Sequence, residues 1–107
     1  MVDVFAVVAE PSRRRILDEL SKHDGMLVGE LVDATSLSQS NVSKHLRVLR
    51  EGGFVREVPE GKARRYRVEP RALEPLEDWL APYRRTWTEA IDALAQHLDQ
   101  NPTKEKR

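Results

Sequence analysis

At 107 residues the chain is long enough for one domain with a modest core and short of two. Its 34% charged and 39% hydrophobic residues exclude a disordered polymer, and the absence of cysteine excludes disulfides and thiolate metal sites. The net charge is zero but unevenly spread. Residues 1–40 hold four basic and seven acidic groups, residues 41–67 eight basic and three acidic, and residues 69–101 three basic and seven acidic. Positive charge gathered in one quarter of a neutral chain is a local footprint for a polyanion.

In chain order, Val4, Phe5, Val8 and Ala9 predict a short apolar helix ended near Glu10 by Pro11. Pro11 suits the first turn of a second helix, with Ile16, Leu17 and Leu20 as its apolar stripe and Asp24-Gly25 as its stop. Met26-Leu27-Val28 allows only a small extended piece, and Glu30 to Thr35 reads as a short helix. Thr35-Ser36-Leu37 is a turn, and Ser38 is a good N-cap for a helix over 38–51. That helix buries Val42, Leu46 and Leu49 by four-then-three spacing and is stopped by Gly52-Gly53. Its other face carries Gln39, Ser40, Ser43, Lys44 and Arg47. Amides and hydroxyls can read base edges, while cations neutralise phosphates.

The period then changes. Residues 54–58 and 63–68 are strand-like runs separated by Pro59-Glu60-Gly61-Lys62, which predicts a β-hairpin. Phe54, Val58, Tyr66 and Val68 would form its core face, with Arg65 and Arg67 opposite and Lys62 and Arg64 near the tip. From Arg71 onward, Leu73, Leu76, Leu80, Tyr83, Trp87, Ile91, Leu94 and Leu98 form a helical stripe. It keeps its phase across Pro82, so one kinked helix, or two nearly collinear ones, is expected. Residues 1–100 are read as one winged domain and 101–107 as a frayed tail.

The fold expected is mainly α with a small β-hairpin (α+β): a short helix, a turn and a second helix form a helix-turn-helix, and the hairpin forms a wing. Here the residues resemble a known family. The segment from Glu10 to Leu20 looks like the opening of ArsR-type winged-helix repressors. The run from Ser38 to Leu49, with its Val-Ser-Lys-His-Leu core at 42–46, resembles that family's recognition helix. Glu51 to Val55, Glu60-Gly61-Lys62 and Tyr66-Arg67-Val68 resemble its wing, and the likeness covers about residues 4–98. The resemblance implies a homodimer joined through its first and last helices, binding a two-fold symmetric double-stranded DNA operator and repressing transcription. Apolar surplus in Val4, Phe5, Val8, Trp79, Tyr83, Trp87, Ile91, Leu94 and Leu98 supports an isologous interface independently.

On this reading Gln39, Ser40, Ser43 and Lys44 contact base edges. His45, Arg47, Arg50, Lys62, Arg64 and Arg65 hold phosphates or, at the wing, a minor groove. His45 has a second reading, as a cover for the core edge. For Arg13, Arg14 and Arg15, pairs with Asp18 and Glu19 four residues on compete with phosphate contact and with pairing to the acidic last helix.

The family's metal-sensing motif, Cys-Val-Cys before an acidic residue and leucine, would fall on Leu27-Val28-Gly29-Glu30-Leu31, where the thiolates are missing. In the last helix Asp92, His97 and Asp99 include one imidazole, fewer than a zinc-type site wants. No metal or other cofactor is therefore expected. The inducing signal stays open: a small molecule in the dimer crevice, an ion at a second site, a partner protein, or protein concentration alone. No nucleophile elbow, phosphate-binding glycine loop or cysteine nucleophile points to an enzyme. The alternatives are a metal-responsive repressor using last-helix ligands and a winged-helix module that docks an acidic protein. No apolar run approaches the roughly 18 residues of a spanning helix and no signal peptide opens the chain, so the expected location is cytoplasmic and nucleoid-associated.

Overall fold

A computed structural model describes residues 3–100; the tail expected at 101–107 lies outside the described residues. The contacts divide the chain into two units, one ending at Pro75 and one beginning at Leu76.

In the first unit, helix α1 spans Val4–Ala9, capped where the Asp3 carboxylate accepts from the Phe5 N–H at 3.0 Å. Helix α2 spans Pro11–Lys22, with proline in its first turn and Ile16, Leu17 and Leu20 buried as its spacing requires. Asp24-Gly25 leads into strand β1, Met26–Leu27. Helix α3, Val28–Thr35, starts two residues earlier than expected, because the Glu30 carboxylate reaches back to accept from the Leu27 N–H at 2.9 Å. Ser36 takes the left-handed conformation (φ 63°) that closes the turn. The Ser38 hydroxyl accepts from the Asn41 N–H at 3.1 Å and opens helix α4, Gln39–Glu51. Val42, Leu46 and Leu49 are buried on its inner face, with Leu31 and Phe54 also in the core.

Strands β2, Val55–Glu60, and β3, Ala63–Val68, form the expected hairpin, but β1 adds a third strand in the order β1-β3-β2. Met26 pairs with Tyr66 and Leu27 with Arg65. The two-residue piece thus satisfies its backbone groups on the free edge of β3. The loop is shorter than expected. Pro59 and Glu60 belong to β2, opposite Arg64 and Ala63, leaving Gly61-Lys62 as the turn. Proline is tolerated because β2 is an edge strand, and Gly61 supplies the positive φ of 62° that the first central place of a II′ turn demands. The longer strand also corrects the expected core face. Val55 is buried, whereas Val58 lies nearer the tip and is 36% exposed.

Arg13, Arg14 and Arg15 meet helix-end carbonyls instead of forming the expected pairs with Asp18 and Glu19. Arg13 donates to the carbonyls of Val7 (2.8 Å) and Ala6 (3.3 Å), and Arg14 to those of Val8 (2.7 Å) and Ala9 (3.2 Å). These are the last four carbonyls of α1, which lack partners inside their own helix and carry its negative dipole end. Arg15 donates to the carbonyl of Thr35, the last residue of α3. The three arginines therefore tie helix ends together.

After a 3-10 turn at Pro70–Leu73, helix α5 runs from Glu74 to Gln100 with Pro82 inside it. It is one helix rather than two. Pro82 removes one N–H from the ladder, and its own carbonyl accepts from the Thr86 hydroxyl at 3.2 Å. Beyond Leu76 the stripe is largely uncovered: Trp79, Leu80, Tyr83, Trp87, Ile91, Leu94 and Leu98 are all exposed, with Trp87 at 64% and Ile91 at 65%. No helix among the described residues is long and apolar enough to cross a membrane.

Candidate nucleic-acid interface

Burial fixes the orientation of α4. With Val42, Leu46 and Leu49 in the core, the side chains of Gln39, Ser40, Ser43, Lys44, Arg47 and Arg50 are all exposed. The hydroxyls and the amide occupy the first turns of the helix and the cations extend to its end, as the sequence predicts. Ser40 Oγ lies 3.3 Å from the capping Ser38 Oγ. His45 is half-buried, and its Nδ1 is buried without a hydrogen-bond partner. It borders the core edge beside Glu10, whose carboxyl is held below its usual range by the Ser12 backbone N–H and, more weakly, by His45.

The wing differs from a comb of free cations. Arg65 was expected to reach DNA, yet it is only 24% exposed and is turned toward β1. Its Nε and Nη2 donate to the two Glu60 oxygens at 2.8 and 2.9 Å, and its Nη1 donates to the Gly25 carbonyl at 3.1 Å. The fit there is close. A Cβ on Gly25, itself at φ 90°, would lie 2.8 Å from Arg65 Cγ. Arg67 donates to Asp24 at 2.8 Å, and Arg56 lies 3.5 Å from Glu69. This matching of arginine to carboxylate draws the Glu60 carboxyl below its usual range through its bonds with Arg65.

One carboxylate joins the recognition helix to the wing. Glu57 Oε1 accepts from Arg50 Nη1 at 2.8 Å and from Arg64 Nη1 at 3.1 Å, while Oε2 accepts from the Tyr66 hydroxyl at 3.0 Å. The Arg50 hydrogen bond, followed by that of Tyr66, holds the Glu57 carboxyl below its usual range. Burial and the carboxylate beside it raise the Tyr66 hydroxyl. Arg47 pairs with Glu51 at 3.3 Å along the helix. Among the described residues, Lys44 and Lys62 are the two expected DNA contacts of lysine type, and both are exposed.

Glu57 and Glu60 were missed in sequence because a hairpin read with its loop at residues 59–62 lacks the observed register. The two-residue turn places Glu57 opposite Tyr66 and diagonal to Arg64. The glycine at 61 was the available signal.

The expected interface residues fall into two groups. Val4 is 6% exposed and packs within its own unit, beside the buried Val7, and so has little surface to offer a partner. Val8 is half-buried. Phe5, at 42%, and the α5 stripe retain broad exposed area. Among the described residues no group of three or more histidines and carboxylates gathers as a metal site would require.

A family model described as a helix-turn-helix domain matches residues 8–58, from the end of α1 into β2. The chain is 36% identical over 95 residues to the HTH-type transcriptional regulator Rv2034 of Mycobacterium tuberculosis, covering 89% of this chain and 85% of that protein. It is 28% identical over 80 residues to the transcriptional repressor SdpR of Bacillus subtilis, covering 75% and 88%. Its fold is similar to that of an ArsR-like transcriptional regulator from Rhodococcus sp. RHA1, with a TM-score of 0.65, 28% identity, and 87% of each chain covered. An exposed, polar-faced α4 set behind a tight turn and beside a β wing is the helix-turn-helix of these regulators, and the chain belongs to the ArsR family of winged helix-turn-helix, DNA-binding transcriptional regulators.

Proposed function

We propose that the chain is a repressor that binds a two-fold symmetric operator as a homodimer. Helix α4 lies in the major groove, where Gln39, Ser40, Ser43 and Lys44 meet base edges and Arg47 meets the backbone. The wing meets the adjacent backbone or minor groove through Lys62 and Arg64, with Arg50 at the junction. The observation that carries this reading is the division of α4 into a buried aliphatic face and an outer face whose side chains are all exposed.

The dimer rests on α5. Seven large apolar side chains from Trp79 to Leu98 are exposed along one stripe, more than an isolated water-facing helix sustains. A two-fold axis lets the same stripe meet itself. The named repressor among the relatives supports the direction of regulation.

Selecting bound duplexes from fragmented source DNA tests the reading. It expects an inverted repeat whose half-site centres lie roughly one helical turn, or a multiple of it, apart. Enrichment of a lone half-site, or of no sequence, would overturn it. Light scattering at micromolar concentration expects a dimer, and expects the Trp87→Glu/Ile91→Glu variant to be monomeric with much weaker operator binding. A monomeric parent protein would refute the assembly.

A further inference from the structure

We infer that Glu57 is a positioning residue for DNA binding: its carboxylate holds Arg50 of the recognition helix and Arg64 of the wing as one two-armed phosphate clamp. The inference rests on the proposed placement of both arginines at the DNA backbone. The two cations come from different elements, α4 and β3, and converge on a single oxygen, Oε1, at 2.8 and 3.1 Å. The Tyr66 hydroxyl fixes the other oxygen at 3.0 Å, so the acceptor itself is held from behind. Glu57 is only 18% exposed, whereas Arg50 and Arg64 are 47% and 60% exposed. The anchor is thus covered and both guanidiniums reach solvent.

Each guanidinium has five N–H donors, of which the shared oxygen takes one, leaving the rest for an outside acceptor. A phosphate presents the same kind of charged oxygen. Two arginines around one carboxylate keep a net charge of +1, so a phosphate joins the cluster without expelling Glu57. Two long side chains already ordered in the free protein lose less freedom on binding.

The test separates the charge of Glu57 from its acceptor oxygen. Glu57→Gln and Glu57→Ala both remove the negative charge, but only glutamine keeps an oxygen with two lone pairs for the two arginines. Affinity is measured on a duplex selected by the parent protein; retention of that binding by the parent tests the DNA reading separately. The glutamine variant is expected to bind at least as tightly as the parent, and the alanine variant about tenfold more weakly than the glutamine variant. Equal binding by the two variants would overturn the inference, because Glu57 would then act through charge alone. The pair is repeated in an Arg50→Ala/Arg64→Ala background. There the difference between glutamine and alanine is expected to vanish. A difference that persists would mean Glu57 acts through wing stability, and would also overturn the clamp.

Discussion

Salt dependence of DNA binding distinguishes a self-paired basic face from a free one. Each phosphate neutralised changes log K by about −0.9 per unit of log salt concentration. With Arg65 held by Glu60 and the Gly25 carbonyl, five of the six lysines and arginines expected to meet DNA remain on each protomer: Lys44, Arg47, Arg50, Lys62 and Arg64. Were all five to act freely, a dimer would neutralise about ten phosphates, with a slope near −9. The structure reduces this number. Arg47 is balanced by Glu51, and Arg50 and Arg64 share Glu57. Each protomer then contributes about three net charges, from Lys44, Lys62 and the Glu57 cluster, and the dimer slope is about −5. Glu57→Gln should steepen it by about two units, one released charge per protomer. Fluorescence anisotropy on a labelled operator, titrated across potassium chloride concentrations, gives the slope directly. A value near −9 in the parent protein, unchanged by Glu57→Gln, would show that the carboxylates leave their arginines on binding and would refute the reasoning.

Three further perturbations probe the fold that carries the interface. Leu46 is 2% exposed under α4, so Leu46→Ala should cost about 2–5 kcal/mol of stability, read from the denaturant midpoint with the slope unchanged. Gly25→Ala places a Cβ 2.8 Å from Arg65 Cγ at a φ of 90° and should cost about 1–3 kcal/mol; thermal unfolding equal to the parent would contradict the close approach. Glu57 and Glu60 both titrate below their usual range, Glu57 chiefly through Arg50 and Glu60 chiefly through Arg65. A depressed folded value means that their stabilisation is present above the ordinary carboxylate range, about pH 4, and is lost as pH falls through the folded values. The unfolding midpoint should therefore drop more steeply on acidification in the parent than in a Glu57→Gln/Glu60→Gln variant, and parallel curves would refute the pairing.

Much of the architecture was legible because it rests on local rules. Ile16, Leu17 and Leu20, and then Val42, Leu46 and Leu49, are buried where a helical period places them. Ser38 caps α4 through its hydroxyl as an N-terminal serine should. What escaped depends on contacts between distant segments. Met26 and Leu27 become a strand only because β3, some 40 residues on, offers an unpaired edge. The arginines at 13–15 look like first-turn cations that oppose the dipole of their own helix. In space they meet the carbonyl ends of α1 and α3, so the dipole that matters to them belongs to a neighbour.

The same distinction governs the basic patch. A run of eight cations against three carboxylates at residues 41–67 falls on α4 and the hairpin, but it overstates the charge each presents. Within that run and its neighbours, Arg56, Arg64, Arg65 and Arg67 each meet a different carboxylate: Glu69, Glu57, Glu60 and Asp24. Three of these partners lie on the wing strands or immediately after them, and Asp24 lies far away in sequence. Exposed pairs of this kind add little stability. Their consequence lies in which donors remain available and where they are aimed. Arg65 and Arg67 bind the wing to the loop before β1, while Arg64 is turned toward Arg50 and the recognition helix. The wing is thus divided along β3 into arginines that anchor it and one that reaches toward α4, a division made by the alternation of side chains along a strand and invisible to a count of charges.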